Sequence, residues 1–163
     1  MMEYRLIPLS QGQSAKVDAA DYEYLSQWKW HATWDPYTKS FYAVRKTSRA
    51  RGKVGILMHR LLMELERGDR REVDHRNTDT LDNRRLNLRI ATHSQNGANR
   101  GANENNTSGY KGVSWHKVGR KWRAQIRVNG RQIYLGMFDS PEQASLAYRN
   151  AANFHHQEFA RLA

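Results

Sequence analysis

The chain has 163 residues, 27 Lys+Arg against 16 Asp+Glu, and a formal net charge of +11, so a polyanion is the first partner to consider. Its length allows one ordinary domain or two small ones and excludes a large multilayered enzyme. With no cysteine, disulfide frameworks, thiolate nucleophiles, Cys-ligated zinc and iron–sulfur clusters are excluded. The start MMEYRLIPLSQGQ lacks the apolar core of a signal peptide, and no stretch approaches the ~18 apolar residues of a membrane span. The expectation is a soluble, cytoplasmic protein without a membrane partner. Charge is uneven: residues 1–60 carry ten basic and five acidic groups, 61–100 eight and seven, and 101–163 nine and four. Basic flanks that grip a polyanion around a nearly neutral centre would give this pattern.

In chain order, Asp18 followed by Tyr22, Leu25 and Trp28 predicts a short helix with Asp18 as its cap. Trp28–Thr33 and Ser40–Lys46 read as paired strands joined around Asp35-Pro36. Met58, Leu61, Leu62 and Leu65 recur at helical spacing, predicting a helix over residues 56–66 that ends at Arg67-Gly68. His59 and Arg60 lie off that apolar stripe and read as surface or supporting residues, with a phosphate contact as the alternative.

Residues 73–99 read VDHRNTDTLDNRRLNLRIATHSQNGAN. A strand ends at Asp74-His75, a polar loop covers Arg76–Arg85, a second strand covers Leu86–Thr92, and a helix starts near Ser94. Such a hairpin and helix would bring Asp74-His75 near Asn96. Asp74 and the Asn96 amide oxygen are hard donors suited to magnesium or manganese. His75, ordinarily titrating near ~6.5, is suited to take a proton from water at neutral pH. His59, His75 and His93 have no zinc-ligand spacing.

The set Asp74-His75, Asp82-Asn83, Asn87-Leu88-Arg89, Asn96 and Asn99, preceded by His59-Arg60-Leu61, resembles the ββα-metal, or HNH, nuclease motif of phage and intron homing endonucleases. The resemblance implies one divalent cation, Mg²⁺ or Mn²⁺, held by Asp74 and Asn96, with His75 as general base. Asn87 would bond within the loop to hold the imidazole in place. It also implies cleavage that leaves 5′-phosphate and 3′-hydroxyl ends, in a bacterial or phage-infected cell. Many HNH proteins have a final His where this chain has Asn96, as in a subgroup that includes strand-nicking enzymes. Nick and double-strand break therefore both stay open.

From Gly97 to Gly109 the chain has no large apolar residue, and it reads as an extended linker between units at 1–96 and 110–163. Three strands follow, Tyr110–Lys117, Lys121–Val128 and Arg131–Phe138, with Asn129-Gly130 as a hairpin signal. Ser140, Pro141 and Gln143 mark a capped helix start, and Ala144, Ala147, Tyr148 and Ala151 give that helix a face of mostly small residues. His155-His156 would complement its dipole. Alternation directs Trp122, Ala124, Ile126 and Val128 to the helix and Arg123, Gln125 and Arg127 to the other face. A basic sheet face carrying amides suits a major groove.

The strings YKGV at 110–113, KWRAQIR at 121–127 and YLGMF at 134–138 resemble the DNA-binding domain of plant APETALA-type ethylene-response factors, also found appended to phage HNH enzymes. The DNA-facing positions this implies are Lys111, Ser114, His116, Lys121, Gln125, Arg127, Gln132 and Tyr134. Ser114 and His116 stand where plant proteins have Arg, Gln125 replaces a Glu and Tyr134 a Trp, so the plant target sequence does not transfer. The expected architecture is α+β: an HNH unit, then a three-stranded antiparallel sheet packed on one helix. The reading is a metal-dependent endonuclease acting on double-stranded DNA, as monomer or homodimer. Its rivals are a non-catalytic DNA-binding regulator with a degenerate nuclease fold and an RNA-binding protein.

Overall fold

The computed structural model describes residues 3–47, 54–102 and 105–161. Asn103 and Glu104, within the expected linker, lie outside the described residues. The chain divides into two compact units, one running to Thr92 and the other beginning at His93.

The first unit opens with an antiparallel hairpin, β1 (Tyr4–Pro8) and β2 (Ser14–Asp18), in which Ile7 faces Ala15. Gln11 and Gly12 take positive φ in its turn. Helix α1 (Ala19–Ser26) follows. Asp18 stands at the expected cap position, yet it makes no capping bond and instead accepts from the Arg85 N–H at 2.8 Å. A distant backbone donor thus takes the carboxylate that local sequence assigns to the helix. Strands β3 (His31–Asp35), β4 (Ser40–Lys46) and β5 (Gly55–Leu57) form an antiparallel sheet in that order.

Helix α2 is only Met58–Leu62, shorter than the expected 56–66. Leu57 is extended and Glu64 takes φ 54°, which stops the helix after one turn, while Leu65 still reaches the core. One short turn plus a reversal satisfies the same apolar spacing that predicts a longer helix. Strands β6 (Glu72–His75) and β7 (Leu88–Ala91) pair antiparallel, with Asp74 opposite Arg89 and His75 opposite Leu88. One apolar core gathers Val17, Leu25, Trp30, Met58, Leu62, Val73 and Leu88 from every part of this unit. Leu25 and Met58 are fully enclosed, and such a side chain contributes about 2–3 kcal/mol by burial.

The second unit begins with α3 (His93–Ala98). Ser94 Oγ accepts from the Asn129 N–H at 3.1 Å and the Ala98 carbonyl accepts from Lys111 Nζ, so α3 is fastened to the sheet that follows. Strands β8 (Val113–His116), β9 (Lys121–Val128) and β10 (Arg131–Phe138) form an antiparallel sheet in the order β10-β9-β8. Asn129 and Gly130, at φ 48° and 79°, make the expected tight turn. Helix α4 (Pro141–His156) starts with Ser140 Oγ accepting from the Gln143 N–H at 3.2 Å, and it buries Ala144, Tyr148 and Ala152 against the sheet. The first strand is shorter than expected because Asn106 and Ser108 bind the backbone around Tyr110 in a turn.

Two details of this sheet escape period-two reading. The register shifts between Tyr134 and Gly136, which turns Phe138 into the core beside Trp122 and puts Met137 opposite Arg123 on the outer face. Gly112, at φ +72°, lies under the Tyr148 ring, where a Cβ would overlap the ring and stand 2.6 Å from the Gln125 carbonyl. Gly112→Ala should therefore destabilise the second unit by about 2–4 kcal/mol, combining left-handed strain with overpacking. Gly130→Ala, also at positive φ but with open space around it, should cost about 1 kcal/mol. Urea melts of the two variants check the ranking.

Candidate nuclease site and nucleic-acid face

The loop after His75 is polar, and its own side chains fold it. Asn77 Oδ1 accepts from the Asp79 N–H at 2.9 Å, Asp79 Oδ1 from the Leu81 N–H at 3.0 Å, and Asp82 Oδ1 from the Arg84 N–H at 3.4 Å. These are repeated Asx-type turns, the arrangement short polar side chains favour. Asn87 spans the loop: its Oδ1 accepts from the Asn77 N–H at 3.0 Å and its Nδ2 donates to the Asp82 carbonyl at 2.7 Å. Asp82 is itself buried, pairs with Arg84 at 2.6 Å and accepts from Asn77 Nδ2 at 3.0 Å. Burial raises its pKa, but hydrogen bonds and charge from Arg84 outweigh that and hold it below the usual carboxylate range.

The N-terminal elements grip this loop from outside. The Lys16 N–H donates to the Leu81 carbonyl at 2.8 Å and the Lys16 carbonyl accepts from the Asn83 N–H at 2.7 Å. Asp21 takes the Arg85 guanidinium through two 2.8 Å bonds, and Thr80 Oγ1 donates to the Phe41 carbonyl at 2.5 Å. Arg60 donates to the carbonyls of Glu66, Asp69 and Arg71, which organises the approach to β6. Of the two roles weighed for it in the sequence, the structure gives it a supporting one.

At the end of β6, Asp74 and His75 are both buried, at 3% and 5% exposure. Arg89 directs both Nε (2.7 Å) and Nη2 (2.6 Å) to Asp74 Oδ2. Residue type alone gives Arg89 and Asn83, both within the nuclease-like motif, no role; that of Arg89 is found by pairing positions 74 and 89 across the hairpin. The His75 ring lies 5.1 Å from the His59 ring and 6.4 Å from that of Tyr42. Burial lowers the His75 pKa, opposed by Asn83 and by the charges of Asp74, Asp79 and Asp82, so the imidazole is neutral at pH 7. Asn83 lies beside the imidazole, although its buried Oδ1 meets no donor in good hydrogen-bond geometry. An off-axis contact of this kind is weak.

Of the surface and supporting readings given for His59, its burial beside His75 fits the supporting one. His59 is 6% exposed, under Tyr42 at 5.5 Å, and its pKa falls to about 3 through burial and the charges of His75 and Arg60. Among the described residues no cluster of three His, Asp or Glu side chains offers a metal cage. Asp74 carries a hard carboxylate oxygen of the kind a divalent cation takes. Asp74, His75 and Asn87 belong to the first unit and Asn96 to the second.

On the second unit's sheet, cross-strand pairs place Ser114 beside Arg123, His116 beside Lys121, Gln125 beside Tyr134 and Arg127 beside Gln132. Gln125 contacts Gln132 on one side and Arg123 on the other. Tyr134 is 60% exposed. His116 Nδ1 accepts from the Gly119 N–H, and Lys121 pairs with Asp139 at 3.0 Å. Lys111 lies apart from the strands, with its ammonium on the Ala98 carbonyl and its pKa pushed down to about 8 by burial and by Arg161. His156 is buried and its pKa is lowered by burial and by Lys111 and His155, so it is a neutral packing group and not the dipole-complementing cation that was expected.

The His59 burial has a measurable consequence. An unfolded imidazole titrates near 6.5 and the folded one at about 3. The stabilisation is complete above pH 6.5 and is lost as pH falls toward 3, by about 1.4 kcal/mol per pH unit. From pH 7.5 to pH 5, His59 should cost the fold about 2 kcal/mol, and His59→Leu should flatten that part of the pH profile by about one proton. Urea midpoints across this range provide the check.

Comparison with known proteins agrees with this geometry. Residues 57–98 match the family model "HNH endonuclease" and residues 108–157 match the model "AP2 domain". Protein 3.8 of Escherichia phage T7 is 35% identical over 90 residues, covering 55% of this chain and 74% of that protein. No solved structure matches the chain significantly. Among the described residues, no helix is long and apolar enough to cross a membrane. The chain therefore belongs to the family of phage T7 Protein 3.8, and in this chain an HNH endonuclease domain is followed by an AP2 domain.

Proposed function

We propose that the chain is a metal-dependent DNA endonuclease of the homing type, in which residues 1–96 hydrolyse a phosphodiester and residues 110–163 select and hold the site. The observation that carries this is a buried, neutral His75 beside the Arg89-held carboxylate of Asp74, at the mouth of a loop spanned by Asn87. His75 accepts the proton of the attacking water, and a neutral imidazole is the state a general base requires. Asp74 and Asn96 would hold one Mg²⁺ or Mn²⁺, which when bound supplies electrostatic stabilisation of the developing phosphorane charge and the leaving 3′ oxygen. Asn87 keeps the loop, and with it the imidazole, in one conformation. Arg89 fixes the Asp74 carboxylate by a charged fork and offsets its charge.

Outside the chemistry, Ser114, Arg123, Gln125, Arg127, Gln132 and Tyr134 present a basic face with amide and aromatic groups, suited to phosphates and purine edges. His116, Lys121 and Lys111 flank it as further contacts. Supercoiled plasmid in Mg²⁺ should be nicked or cut, EDTA should stop the reaction, and His75→Ala should lower the rate about 10²–10⁴-fold while gel-shift affinity stays near wild type. Conversely, Arg127→Ala should weaken binding and reduce the dependence of log K on log salt by about one unit. Equal loss of binding and cleavage in His75→Ala would reject the role given to that residue.

A further inference from the structure

We propose that the tip of the β3–β4 hairpin is a second DNA contact, in which Tyr37 wedges against a base step near the phosphate presented to His75. The inference rests on the nuclease reading above for where the phosphate lies. Tyr37 is 92% exposed and Trp34 49%. Tyr and Trp rings, apolar with one polar end, are enriched at interfaces. Here they are also preorganised. Asp35 Oδ1 accepts from the N–H groups of Tyr37 at 2.8 Å and Thr38 at 3.3 Å, and Ser40 Oγ donates to Thr38 Oγ1 at 3.0 Å. The Trp34 ring stands edge-on against Phe41 with centroids 5.0 Å apart, which stiffens the base of the tip.

The hairpin is anchored to the catalytic loop itself. Thr80 Oγ1 bonds the Phe41 carbonyl, and the next residue, Tyr42, has its ring 6.4 Å from that of His75. Five residues separate Tyr42 from Tyr37, or roughly 10–17 Å at strand rise. That span equals about three to five base pairs at ~3.4 Å each. A duplex held with a phosphate at His75 and running along the hairpin would meet the tip within half a helical turn. Charge favours nucleic acid as the occupant: the chain carries a net charge of +11, Lys39 stands at the tip, and the one carboxylate there, Asp35, is taken up by the turn. An aromatic wedge on a basic hairpin fits a minor groove, where apolar side chains part a base step and bend the duplex.

The test uses the full chain carrying His75→Ala, so that DNA stays intact, on nicked plasmid sealed by ligase with protein bound. The parent should lower the linking number of the sealed circles. Adding Tyr37→Ala should abolish that shift while the gel-shift Kd rises no more than about threefold, and Tyr37→Trp should retain it. Because Tyr37 is exposed, thermal melting of each variant should be unchanged. An undiminished shift in Tyr37→Ala, no shift in the parent, or loss of the shift only together with all binding would overturn the wedge. Failure of wild type to nick plasmid, with the shift intact, would instead reject the nuclease reading and leave the wedge standing.

Discussion

The hydrogen-bonded closure of the loop between β6 and β7 is the constraint on which the first unit depends. Residues 76–87 are almost entirely polar, yet Asp82, Asn83 and Asn87 are buried. A buried polar group without a partner costs about 1–3 kcal/mol, so such a segment can be enclosed only if it is satisfied nearly everywhere. Asn77, Asp79, Asp82 and Asn87 do this from within. Lys16, Asp18, Asp21 and Phe41 do it from outside. The N-terminal hairpin, α1 and the β3–β4 hairpin are therefore the frame of the loop, which gives residues 3–47 a structural purpose that composition alone does not disclose.

That closure determines the electrostatics of the strand end. His75 is buried among rings and amides, which keeps it neutral, while the carboxylates of Asp74, Asp79 and Asp82 limit how far its pKa falls. His59 has no such carboxylates among the groups that shift it, and so it falls much further. Two imidazoles about 5 Å apart thus have different surroundings, one faced by carboxylates that oppose the effect of burial and one without them. The second unit obeys a different logic: a thin sheet reaches one helix through Ala124, Ala144 and Ala152, and its outer face stays charged and open.

Features encoded over a few residues were legible in the sequence. The Asn129-Gly130 turn, the Ser140 cap and the outward Arg123, Gln125 and Arg127 need only neighbours in the chain to be read. Features that depend on distant partners were not. Asp18 leaves its helix for the Arg85 N–H, His59 is covered by Tyr42, and Arg89 meets Asp74 only once β6 and β7 pair. The hairpin of β1 and β2 was invisible because its outer residues mix Tyr, Leu and Lys, which blurs the alternation that would announce strands. The bulge before Gly136 inverted the parity of Phe138 and Met137, a change no alternation rule anticipates. Helix α3 sits in the second unit through Ser94 and Lys111, contacts that sequence spacing does not disclose.

The central claim is hydrolysis by a loop-held imidazole at the end of β6. It is tested most directly by the chemistry of the ends left in plasmid DNA treated with the wild-type chain and Mg²⁺. Attack by water with departure of the 3′ oxygen predicts nicks that DNA ligase reseals without prior kinase or phosphatase treatment. Ends that need such repair, or nicking that persists undiminished in His75→Ala, would contradict the account.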